Sequence, residues 1–129
     1  MPLDPVKEAA QMAQTFFTLS KAVDDFRLDN YRRLSPTKRK QLKTQSDSLE
    51  TRGQQYTADA MAAVLTQIAP HLPNIKQSTK DAVNALTNLN DIVKGLAIAD
   101  AVLELVGDIV APNIGSIASD ITGLWKTIE

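Results

Sequence analysis

Apolar side chains recur every three or four positions along most of this chain, and the recurrence is cut at proline-bearing stops. In a helix of about 3.6 residues per turn, that spacing keeps the apolar groups on one stripe that must be buried against a partner. No segment alternates with period two, so a sheet is not expected. The fold class that follows is all-α.

The stops define the rods. Asp4-Pro5 pairs an N-cap with a proline at the first helical position, where the missing N–H costs nothing. From there Val6, Ala9, Ala13, Phe16, Phe17, Val23, Phe26, Tyr31 and Leu34 mark a first helix over 5–34. Ser35-Pro36 repeats the device, and a proline pushes the residue before it out of the α region. A second helix over 36–69 follows, with seven-residue steps from Leu42 to Leu49 to Tyr56 that suggest a coiled-coil-like seam.

Pro70 and Pro73 break the chain again. Ile75, Ala82, Val83, Leu86, Leu89, Val93 and Leu96 then run in phase with Ile98, Val102, Leu103, Leu105, Val106, Ile109 and Val110. The spacing predicts one helix over 74–110 that tolerates Gly95, with a kink at that glycine as the alternative. After Pro112, Ile114, Ile117, Ile121, Leu124, Trp125 and Ile128 give a short last helix over 114–128. Short connections make sequential helices antiparallel, so an up-down-up-down bundle of about four helices is expected, two or three of them long.

A length of 129 residues suits one domain with a real core. The absence of cysteine excludes disulfides, thiolate metal ligands and a Cys nucleophile. The first residues lack the basic start and apolar core of a signal peptide, and the longest uncharged run, 60–75, carries Pro70, His71 and Pro73. A cytoplasmic protein without a transmembrane helix is the expectation.

Catalytic patterns are missing. The lone histidine, His71, sits in a turn without a nearby carboxylate, no Glu is followed by His three residues later, and neither glycine-rich phosphate loop occurs. No catalytic residue, metal ligand or cofactor is therefore assigned. A cavity between helices with Asp24, Asp25 or Asp29 as its polar groups is the arrangement an enzyme or ligand carrier would need.

Charge is distributed unevenly. Net charge is −1, yet residues 27–43 hold seven Lys or Arg against one Asp. Arg32 and Arg33 suit the C-terminus of the first helix, because the helix dipole favours cations there; Lys38, Arg39 and Lys40 fall in the first turn of the second helix, where it opposes them, and Lys43 follows one turn on. Two explanations stand. The acidic stripe Asp100, Glu104 and Asp108 returns to this corner and pairs with it inside the chain, or the corner receives an anion such as a phosphate, a lipid headgroup or an acidic helix. Without interleaved aromatics for base stacking, nucleic acid is the less expected ligand. Ser35-Pro36-Thr37-Lys38 also resembles a proline-directed phosphorylation site.

The last third is apolar around most of the helix circumference. Leu105, Ile109, Ile117, Ile121 and Trp125 are the candidates for self-association, unless this region is the centre of the monomer. Gly107, Gly115 and Gly123 stand at eight-residue intervals, which either permits close helix approach or marks loop and cap positions. A helical bundle enclosing a glycine-rich apolar hairpin is similar in layout to helical pore-forming toxins. That likeness implies membrane activity, against which Asp100, Glu104, Asp108 and Asp120 each weigh about 2.5 to 3.5 kcal/mol at mid-bilayer.

The sequence thus points to a non-enzymatic helical interaction protein that self-associates, as a dimer, and binds a partner protein through apolar helix faces and the basic corner. The alternative is a membrane-active protein using its C-terminal helices.

Overall fold

The computed structural model describes residues 5–55, 65–89, 91–111 and 113–129. Among them it is all-α, built from five packed helices: α1 (Pro5–Asp29), α2 (Pro36–Gln55), α3 (Leu72–Thr87), α4 (Ile92–Val110) and α5 (Ile114–Ile128). Two single 3-10 turns, Tyr31–Arg33 and Ala69–His71, join them, and residues 65–68 are helical. Tyr56, the third step of the expected seam, lies outside the described residues, whereas Leu42 and Leu49 are fully buried.

The first helix stops sooner than its apolar stripe suggested. Asn30 turns its side-chain amide back onto the Phe26 carbonyl at 2.9 Å, occupying an acceptor near the end of α1, and the chain tightens into the 3-10 turn. Leu34 still reaches the core, but Tyr31 is rotated out of the stripe and exposed. Ser35 then caps α2, its hydroxyl accepting from the Lys38 amide at 3.2 Å.

The helix expected over 74–110 is two helices. The break falls at 88–91, not at Gly95, because α3 ends at Thr87 and Asp91 caps a new start by accepting the Lys94 amide at 3.1 Å. Asn88 bonds backward, its side-chain amide donating to the Asn84 carbonyl at 2.9 Å. Such local side-chain bonds compete with helix continuation. The interruption resets the helical phase, so Val93, assigned to the apolar stripe, faces outward.

α4 lies at the centre. It touches each of the other four helices, and it buries Ile98, Ala99, Val102, Leu105, Val106 and Ile109 completely. Its wide apolar circumference is what a rod surrounded on several sides requires. Ile117, Ile121 and Leu124 of α5 join the same core. No described helix is long and apolar enough to cross a membrane.

Side-chain pairs tie the helices to one another. In α1 and α2, Ser20 and Ser46 are buried and each hydroxyl donates to the other's carbonyl, at 2.7 and 2.9 Å. Gln45 of α2 hydrogen-bonds Asp100 of α4, Lys76 of α3 pairs with Glu8 of α1 at 3.0 Å, and the Trp125 indole of α5 donates to Asp81 of α3 at 3.1 Å. The end of α1 and the starts of α2 and α4 share one extremity of the molecule, and the α4–α5 turn occupies the other.

Glycine allows close approach at two places. A Cβ on Gly95 would sit 2.1 Å from the Phe26 ring, and one on Gly53 would sit 2.8 Å from the Phe17 ring, so both aromatics lie directly on helix backbone. The evenly spaced Gly107, Gly115 and Gly123 face open space instead. Close packing through that trio does not occur among the described residues.

Candidate functional site: two charged clusters

The basic corner and the acidic stripe do not meet. Among the described residues the ion pairs are Lys21–Asp25, Arg27–Asp24, Lys43–Asp47 and Lys76–Glu8, and none joins Arg32, Arg33, Lys38, Arg39 or Lys40 to Asp100, Glu104 or Asp108. The intramolecular pairing expected from sequence is therefore absent. The physical reason is direction: α4 starts beside the corner but is acidic only further along, and Asp100, the nearest of its three acids, is taken by Gln45.

At the corner, Arg32 and Arg33 occupy the 3-10 turn, while Lys38, Arg39, Lys40 and Lys43 lie on the first turns of α2. Arg39 folds back: its guanidinium stacks over the Tyr31 ring at 3.9 Å and its Nε donates to the Tyr31 carbonyl at 2.7 Å. Arg33 reaches the Asn30 side chain at 3.2 Å. Lys43 alone of the six has a carboxylate, Asp47 at 2.9 Å, and that hydrogen bond holds its ammonium above the ordinary lysine range. The first turn of α2 contains no acidic residue. Cations crowded at a helix N-terminus survive because all but the half-buried Arg39 stand in water, where like charges repel weakly.

Apolar groups accompany these cations. Among the described residues the large exposed hydrophobics are Leu28 at 53%, Tyr31 at 44% and Val93 at 72%. Leu28 follows Phe26 by two residues and Val93 precedes Gly95 by two, and Phe26 and Gly95 touch. At about 1.5 Å of rise per residue, the backbone at both positions lies about 3 Å beyond that contact, toward the basic extremity, with the two side chains on the outer flanks of α1 and α4 because residues two apart do not share a helix face. Tyr31 lies further in the same direction.

The second cluster was only partly legible. Glu104 and Asp108 of α4 converge not on the basic corner but on Asp120 of α5, one oxygen of each lying within 4.8 Å of the others. Asp120 Oδ2 is buried and accepts no hydrogen bond. Burial, and after it the neighbouring carboxylates of Asp108 and Glu104, push the Asp120 carboxyl up to about 7. Three hard oxygens are a donor type that divalent cations accept; with no cation alongside, a shared proton relieves the repulsion. Neighbours across a helix turn explain this cluster, a signal available from i, i+4 acids on one side of Pro112 and an acid on the other.

The remaining candidates are placed as follows. Leu105, Ile109, Ile117 and Ile121, offered for self-association, are buried within a single chain, and Trp125 is half-buried against Asp81. Asp24 and Asp25 are engaged by Arg27 at 2.9 Å and Lys21 at 2.7 Å, and Asp29 is exposed. Asp24 lines a shallow groove of about 280 Å³ between α1 and α2, with Phe17, Lys21, Asp47 and Glu50. A second groove, of about 240 Å³ between α1 and α3, is lined by Thr15, Thr18, Lys76, Thr79, Lys80 and Val83. His71 is half-buried in its 3-10 turn. No protein-family model, no curated protein and no solved structure matches this chain.

Proposed function

We propose that this chain is a non-enzymatic helical interaction module that engages an anionic partner through its basic end. The observation that carries this is the unpaired state of Arg32, Lys38 and Lys40, with Arg33 and Arg39 bonded only to neutral groups of the same corner. Concentrated positive charge on a chain with net charge −1 orients an approaching anion toward one face without making the whole protein sticky.

Burial of Leu105, Ile109, Ile117 and Ile121 in the monomer core supports the basic end over those helix faces as the recognition surface. The test is binding to immobilised polyglutamate at low salt, comparing the wild type with two variants of equal net charge. Lys38→Glu/Lys40→Glu should lose at least about tenfold in affinity, and Lys76→Glu/Lys80→Glu, on the α1–α3 flank, should lose little. Equal losses from both pairs would mean that the end has no privileged role.

A further inference from the structure

The nature of the anionic partner can be narrowed, on the assumption that the basic end is the recognition surface. From the arrangement of charge and exposed apolar groups we infer that this end docks on an anionic lipid bilayer, with Leu28, Tyr31 and Val93 entering the headgroup region and the surrounding cations meeting lipid phosphates and carboxylates.

Three observations support a bilayer over a protein partner. First, the large exposed hydrophobics among the described residues stand at the same end of the molecule as the unpaired cations, Leu28 and Val93 on its outer flanks. Coincidence of apolar and basic groups is what binding to an anionic interface requires, since area burial and electrostatic attraction add there. Second, these side chains stand outside both of the grooves on the flanks of α1, neither of which includes Leu28, Tyr31, Val93 or any cation from 32 to 40. A protein partner would need pockets shaped to receive three separate projections, whereas a fluid interface accepts each one as it comes. Third, Tyr31 and Arg39 form an amphipathic unit, the ring half exposed and the guanidinium stacked on one face, in keeping with the preference of tyrosine and arginine for the headgroup level.

The opposing charges at this end are few. Asp29 is exposed on α1, and Asp91 is exposed but caps α4 through the Lys94 amide. Against them stand Arg32, Arg33, Lys38, Arg39, Lys40 and Lys94. The acidic cluster of Glu104, Asp108 and Asp120 lies toward the far end of α4, so approach with the basic end leading keeps it away from the anionic surface.

Co-sedimentation with vesicles decides the matter. The full chain should bind phosphatidylcholine vesicles containing phosphatidylserine at low salt, fail to bind pure phosphatidylcholine, and weaken at least about tenfold on raising salt from about 0.05 to 0.5 M. Lys38→Glu/Lys40→Glu should abolish binding, and Lys80→Glu should leave it within about twofold. Leu28→Ser/Val93→Ser should weaken binding several-fold while keeping the salt dependence, which separates insertion from pure charge attraction. The chain has no native cysteine, so Leu28→Cys and Ser119→Cys each take one environment-sensitive fluorophore; a blue shift on anionic vesicles is expected at 28 and none at 119. Absence of binding to anionic vesicles at low salt, or a shift at 119 without one at 28, overturns the inference. Polyglutamate binding retained in a protein that ignores vesicles points to an acidic polypeptide and leaves the basic end as the recognition surface; loss of both removes the two proposals together.

Discussion

The two charged clusters are opposites in more than sign. The cations at the start of α2 crowd together in water, and most of them face no carboxylate. The acids between α4 and α5 are fewer, but part of their surface is withdrawn from water, and one of them is driven up to about 7. The comparison teaches that like-charge crowding matters in proportion to desolvation: solvent screens the basic end, and burial turns the acidic end into a proton-sensitive joint between two apolar helices.

The contrast is broken most severely through the contact that anchors the basic end. Gly95→Ala puts a methyl group where the Phe26 ring lies, so the α1–α4 contact must open. A loss of about 2 to 3 kcal/mol in urea unfolding is expected, with partial recovery when Phe26→Leu is added. Recovery is the informative half, since a generic glycine-to-alanine effect within a helix would be slightly stabilising and indifferent to residue 26.

Next in size is the acidic joint. The Asp120 carboxyl is raised in the folded chain, so the folded state takes up a proton before the unfolded chain does as pH falls. The contribution of this group to stability therefore grows from about pH 7 down to the ordinary carboxyl range near pH 4 and is flat below it. Asp120→Asn should stabilise the protein at pH 7.5 by on the order of 1 kcal/mol, after allowance for solvent screening, and should lose that advantage by pH 4. Thermal melts of the two proteins across this range would show a pH-independent gap if Asp120 were not the titrating group.

A smaller and opposite effect is expected at the basic end. Lys38→Glu/Lys40→Glu replaces cations at a helix N-terminus with anions, and should raise stability by about 0.5 to 1 kcal/mol while removing binding. A melt showing destabilisation would mean that these lysines hold the fold, not a ligand. The smallest change belongs to Trp125→Phe, which keeps the ring and drops the bond to Asp81, for about 1 kcal/mol or less by denaturant unfolding.

How far the sequence carried can be judged from particular residues. The three-and-four spacing located most of the core, passing over Met12, Leu19, Leu65, Leu72 and Ala99, and Ser-Pro and Pro-x-x-Pro marked real boundaries. The errors at the helix ends share one cause. Asn30 and the 88–91 segment end helices through side-chain bonds to nearby backbone, while the apolar pattern runs on across both in phase. Tyr31 and Val93 were assigned to the core on that false continuity, and they emerged as two of the exposed apolar groups that define the proposed docking end. The glycine ladder misled for a related reason: spacing along a helix says nothing about what stands opposite, and only Gly53 and Gly95 face a ring. Asp120 was recognised as an acid but not as the partner of Glu104 and Asp108, because their meeting depends on how α5 folds back after residue 112.

The crossed hydroxyls of Ser20 and Ser46 have a mechanical corollary. Sliding α1 along α2 by a single residue would sever both buried hydrogen bonds at once. The pair therefore works as a rivet, and a push delivered to the Arg32–Lys40 elbow travels down both rods together as through one stiff lever.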